Sequence, residues 1–146
     1  MPEVQRVIKA REPDFDSAFA KRLITGRAAE EYFLSHWTRM NEFVGMSLLE
    51  TTRWGCGFDF KMTLGSGGSY SAVEVKGMRT KNGQIQMTEL EHAMADELTS
   101  RFYLVLVRNF VEKPFHSIIR DPLHSDLNFN RKERKEICVS WAANVN

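Results

Sequence analysis

Residues 102–107 read FYLVLV, an unbroken apolar run closed by Arg101 on one side and Arg108 on the other. A strand wetted on one face alternates apolar and polar residues, so a run that is apolar at every position needs cover on both faces. It is also far too short to cross a bilayer, which takes about 20 apolar residues. The chain is therefore expected to build a layered α/β domain around this strand. At 146 residues it is long enough for one such domain with a real core. Residues 1–146 are read as that single domain, standing alone or as one part of a longer protein.

Composition narrows the class. Apolar residues at 42% and charged residues at 27% are ordinary for a globular chain and unlike a disordered one. A formal net charge of +1 means that any contact with nucleic acid must use local basic clusters. Cys56 and Cys138 are too few for a disulfide framework, and neither has the spacing of a zinc site. No apolar run approaches 18 residues, and MPEVQRVIKAREPDF has charges where a signal peptide would be greasy. The expectation is a cytoplasmic protein with no membrane association.

Along the chain, Pro13 with Asp14 and Asp16 marks a helix start, running to about Ile24. Ala29, Tyr32, Phe33, Trp37 and Met40 form the stripe of a second amphipathic helix over 26–40, with Tyr32 and Trp37 in the core and Glu30 at its edge. A first strand is expected at 44–50. Gly55 and Gly57 then turn the chain into a second, with Phe58, Phe60 and Met62 on one face and Asp59 and Lys61 on the other. Glycines 65, 67 and 68 connect it to a third strand, Tyr70 to Lys76, whose Ala72, Glu74 and Lys76 share a face. A hairpin of these two strands brings Asp59 opposite the Glu74 region. Thr88 and Glu91 form a capping box for a helix striped by Leu90, Met94 and Leu98. Residues 109–136 read mostly as loop and 136–141 as a last edge strand. The order helix, three strands, helix, strand implies a mixed sheet flanked by helices.

Glu74 and Lys76 sit one residue apart in an otherwise apolar strand, and burying such charges costs several kcal/mol per ion unless they are compensated. Two carboxylates converging beside a lysine make an oxygen-ligand site for Mg²⁺, with the lysine free to orient a water or to stabilise charge on phosphorus. A solvated face is the plain alternative. The basic residues Lys76, Arg79, Lys81, Arg101 and Arg108 cluster around this region in sequence, whereas Arg131 to Lys135, with Glu133 and Glu136 interspersed, reads as solvated surface. None of the four histidines sits in an HExxH pattern, no serine sits in a Gly-x-Ser-x-Gly elbow, and GSGGSY lacks the lysine of a phosphate loop. His92 reads as packing or surface.

Asp59 followed by Glu74-x-Lys76 on the next strand, with an acid on a preceding helix, resembles the PD-(D/E)xK nuclease superfamily, whose core runs αβββαβ. More narrowly, GRAAEEYF, GCGFDF, VEVKGMR, IQMTELEHA and FYLVLVRNF, in that order over about residues 24–125, resemble the domain named after the C-terminal region of the protein NO VEIN. The resemblance implies a restriction-endonuclease-like fold in which Asp59 and Glu74 ligate Mg²⁺ or Mn²⁺, Glu30 completes the acidic site and Lys76 assists the attacking water. Phe58 stands where the superfamily often has proline. It also implies substrate-facing positions at Gln84 and Gln86 in GQIQM, for which a polar turn is the alternative, and Arg79 and Lys81 of the basic cluster are the expected contacts to DNA. Its members often sit beside helicase, ATPase or methyltransferase modules, and the domain is expected as a homodimer or within a larger protein. The expected activity is Mg²⁺-dependent cleavage of DNA in restriction, defence or DNA processing, lost on Glu74→Ala or Lys76→Ala with thermal stability nearly unchanged. The competing expectation is a catalytically inactive module that binds nucleic acid or protein.

Overall fold

The structure, a computed structural model, describes residues 18–66, 68–134 and 138–146. The helix start expected at Pro13 lies outside these residues. Two helices and eight strands follow in the order α1 (Ala18–His36), β1 (Met46–Glu50), β2 (Phe60–Leu64), β3 (Ser71–Gly77), β4 (Gly83–Thr88), α2 (Glu89–Leu98), β5 (Phe102–Arg108), β6 (Phe115–Arg120), β7 (Asn130–Arg134) and β8 (Cys138–Val145). A five-stranded sheet has the order β1-β2-β3-β5-β6, and a three-stranded sheet the order β4-β8-β7. Only β3 and β5 pair in parallel, so the larger sheet is mixed, as expected.

All of residues 102–107 are buried, because the larger sheet is covered on both faces. Tyr103, Val105 and Val107 pack with Val73, Val75, Phe60, Met62 and the α1 residues Ala29 and Phe33. Phe102, Leu104 and Leu106 face the other way, onto Ala95 and Leu98 of α2 and onto Ile85, Met87, Ala143 and Val145 of the smaller sheet. Alternation along one strand thus serves two cores.

Several expectations are corrected. The break expected between residues 24 and 26 is absent: α1 runs through Gly26. A mid-helix glycine costs only about 1 kcal/mol, and the burial of Thr25, Ala29 and Phe33 outweighs it. The helix ends at His36 rather than Met40, although Met40 is buried beyond it. Tyr32 and Trp37 are half-buried rather than core, with Tyr32 Oη 2.9 Å from His116 Nδ1. Leu90 is exposed, and Ala95 takes its place on the buried side of α2. Three strands were read otherwise. In β4, GQIQMT buries Ile85 and Met87 and turns Gln84 outward; the segment 109–136 contains β6 and β7; and β7 is an edge strand whose exposed charges discourage further pairing. The last strand, β8, is central in the smaller sheet and reaches Val145.

Where β3 continues past the lysine, Gly77 lets α1 approach. A Cβ there would lie 2.5 Å from Thr25 O and 2.8 Å from its Cγ2. Gly77→Ala is expected to push α1 off the sheet and to cost at least about 2 kcal/mol, in the range of overpacked cores; a denaturant midpoint unchanged from wild type would contradict this.

Candidate functional site

The site begins where β2 stops pairing. The β2–β3 ladder closes at Phe60↔Val73, and Asp59 N also donates to Val73 O at 2.9 Å, so two residues face one in the manner of a β-bulge. The bulge breaks the expected period of two. Phe58 joins the α2-side core, while Phe60 and Met62 stay on the α1 side. It also fixes Asp59. Its carbonyl accepts from Thr51 N at 2.8 Å, and its Oδ2 accepts from Val75 N at 2.9 Å, an amide that β2 no longer reaches.

On β3, Glu74 is buried at 3% exposure, and Lys76 Nζ lies 3.1 Å from Glu74 Oε2 and 2.7 Å from Glu91 Oε1. Glu91 is the third residue of α2. Its Oε1 also accepts from Thr88 N at 3.0 Å, while Glu91 N donates to Thr88 Oγ1, completing the expected capping box. Sequence reasoning gave Glu91 the cap alone, since the box accounts for its spacing; a carboxylate can accept several hydrogen bonds, and this one binds the lysine as well. Glu30 of α1, Asp59, Glu74, Lys76, Gln84, Gln86 and Glu91 line one cavity of about 490 Å³. The four residues expected to form the centre, and the two glutamines expected to face substrate, therefore share one hollow.

The remaining basic residues divide. Arg79 is exposed and lines an adjoining hollow; Lys81 is exposed and lines neither. Arg101 and Arg108 do not join the site: Arg101 Nη1 donates to Tyr70 O at 3.2 Å, and Arg108 Nε donates to Lys81 O at 2.6 Å. His92 stacks on Trp141 with ring centres 3.6 Å apart, a packing role.

Crowded carboxylates set the electrostatics. Burial, then the Asp59 charge, pushes the Glu30 carboxyl up to about 7. Burial pushes Asp59 up to about 6, against the Val75 amide and the Lys76 charge that pull it down. Burial holds Glu74 well above the usual carboxylate range even with Lys76 alongside. For Lys76 burial alone would favour the neutral amine, but Glu74 and Glu91 outweigh it and hold the ammonium charged beyond its ordinary range. Four carboxylates, Glu30, Asp59, Glu74 and Glu91, thus line a cavity whose cations are Lys76 and, exposed at its edge, Arg22, so acid is in excess.

That excess is what a divalent cation would relieve. Glu74 Oε1 is buried and has no hydrogen-bond partner, beside an Asp59 carboxylate close enough to interact with the Glu74 side chain. Two adjacent carboxylates with an unsatisfied oxygen fit Mg²⁺, which binds through one or two carboxylates and waters. Among the described residues no three acidic, histidine or cysteine side chains gather closely enough to hold an ion by themselves. Glu30 thus stands in the same wall as the pair without forming a ready-made three-ligand cluster with it.

The family model described as Protein NO VEIN, C-terminal matches residues 29–119, which take in Glu30, Asp59, Glu74, Lys76 and Glu91 and run from α1 into β6. The chain belongs to the NO VEIN C-terminal family. The family match thus spans the whole acidic wall and the five-stranded sheet, while β7 and β8 of the second sheet lie beyond it. No curated protein and no solved structure matches the chain. Among the described residues, no helix is long and apolar enough to cross a membrane.

Proposed function

We propose that this NO VEIN-family domain hydrolyses phosphodiester bonds in DNA with Mg²⁺ or Mn²⁺. The observation that carries the reading is the buried, unpartnered Glu74 Oε1 beside Asp59, with a charged lysine in the same cavity. An ion held by Asp59 and Glu74, with Glu30 in support, would supply Lewis acidity, lowering the pKa of a bound water and offsetting charge on the leaving oxygen.

The chain's own groups do the rest. Lys76 stays an ammonium, so it cannot take the proton of the attacking water; it donates hydrogen bonds and offsets charge that grows on the phosphoryl oxygens. Glu30 lines the same cavity and can accept that proton; without metal, burial and the Asp59 charge raise its carboxyl to about 7. Glu91 positions Lys76 and ties it to the first turn of α2. Gln84 and Gln86 offer both donors and acceptors to the substrate along the cavity wall.

Supercoiled plasmid is the test. Cleavage is expected with Mg²⁺ or Mn²⁺ and not with EDTA, and Glu74→Gln and Lys76→Ala are each expected to lower the rate at least about 100-fold. Equal cutting by wild type and both variants would remove the assignment. A second reading, a nucleic-acid-binding module that keeps the fold without catalysis, is favoured by the engagement of Lys76 Nζ with Glu91 at 2.7 Å, which commits the ammonium within the protein. Metal titration separates the two, since the carboxylate pair of a catalytic centre binds Mn²⁺ and loses it on Glu74→Gln.

A further inference from the structure

An acidic cavity repels the polyanion it is proposed to cut. Strand affinity must therefore come from beside it, because phosphate neutralisation by lysine and arginine supplies most non-specific binding to nucleic acid. The hollow that adjoins the acidic cavity has about 420 Å³ and shares Arg22, Gly77 and Gln84 with it. Lys21 and Arg22 of α1 line one side and Arg79, just beyond β3, the other. All three are exposed, and none makes an ion pair among the described residues. Arg101 and Arg108, grouped with the site by sequence, are instead engaged by backbone carbonyls. Gly77 lines both hollows, and Gly83 lines the basic one.

Resting on the nuclease reading, we infer that this basic hollow is the subsite for the phosphate next along the DNA strand from the reacting one, gripped by Lys21, Arg22 and Arg79. Arg22 and Gln84 stand at the junction and touch both hollows, so a strand leaving the acidic centre passes them first. Sequence spacing hid the two α1 residues, because they lie more than fifty positions before Arg79.

Binding can be separated from cutting. Anisotropy of a fluorescent DNA oligonucleotide, measured in EDTA with the full chain, is expected to show the Lys21→Gln/Arg22→Gln pair binding at least tenfold more weakly than wild type. The slope of log K against log salt is expected to flatten by about 1.4 for single strands, at about 0.7 per phosphate charge. Arg79→Gln, on a separate element, is expected to weaken binding in the same direction and covers the case in which the α1 pair fails to fold. Arg131→Gln, which lines neither hollow and pairs with Glu133 on β7, is the control and is expected to bind like wild type. Unchanged affinity and slope in both the α1 pair and Arg79→Gln would overturn the subsite even if the plasmid is cut. Wild-type binding that is lost in these variants, without any cleavage, would leave the subsite standing and remove the nuclease reading. Displacement of the oligonucleotide by a mononucleotide at equal phosphate concentration would show a small-phosphate pocket and overturn the strand assignment.

Discussion

Lys76→Met is expected to destabilise the domain by about 3–5 kcal/mol at pH 8, the range for removing one partner of a buried ion pair. The methionine keeps the length and apolar stem of the lysine, so the loss isolates the charge. Without it, Glu74, at 3% exposure, and Asp59 face each other with Glu91 alongside and no cation between them. The sign with pH follows. The lysine has its folded pKa raised, so its contribution is fully present through neutral pH and cannot fade before strongly alkaline conditions. The carboxylates left behind can be neutralised by protonation, so the deficit of the variant is expected to shrink as pH falls toward 5. Adding Glu74→Gln to Lys76→Met is expected to restore most of the stability, and urea denaturation of the four proteins in the cycle gives the coupling. Near-additive losses would show that the pair is not coupled. The expectation that alanine at 74 or 76 leaves stability nearly unchanged suits a solvated face, and the burial of Glu74 overturns it. Lys76 holds the fold together as well as lining its cavity.

The parts of the fold that were legible in the sequence are those in which one strand or helix carries its own signal. FYLVLV shows burial on both faces without reference to any other segment, and the Thr88–Glu91 spacing shows a helix start, since both are local consequences of side-chain direction and capping. The meeting of Asp59 with Glu74 and Lys76 was legible because a hairpin constrains which positions can meet across it, whereas the place of Glu30, on α1, came from the resemblance. The second sheet was not legible. Residues Asn130–Arg134 have no apolar face to betray a strand, and β8 becomes central only because β4, far earlier in sequence, pairs with the edge that β7 leaves open. The bulge at Asp59 escaped for a related reason: period two is a rule of regular ladders, and the side chain that caps Val75 N stands where the ladder ends. Glu91 was hidden by sufficiency, one role having explained its spacing before its second was visible.

Asp59→Asn is expected to make the metal-free protein more stable at pH 8, by roughly 3 kcal/mol, taking the rise from 3.8 to about 6 at about 1.36 kcal/mol per pH unit. The direction is opposite to that of most buried substitutions, and it rests on burial being the dominant cause of the shift. Asparagine offers an acceptor of the same shape to Val75 N, so the backbone clamp survives while the charge goes. Between the unfolded and folded pKa values the folded state binds more protons than the unfolded one, so wild-type stability falls as pH rises through that window. The advantage of the variant should therefore be largest above pH 7, diminish through pH 6 and vanish below about 4. Thermal melts in EDTA from pH 4 to 8.5 follow it directly, at about 2–4 °C per kcal/mol for a chain of this size. Adding Mn²⁺ should raise the melting temperature of wild type more than that of Asp59→Asn, because a ligand that binds only the folded state stabilises in proportion to the logarithm of its concentration over Kd. A variant that melts below wild type at pH 8 without metal would mean that the Asp59 carboxylate is stabilised as an anion, and the excess of acid that makes this cavity a cation site would lose its basis.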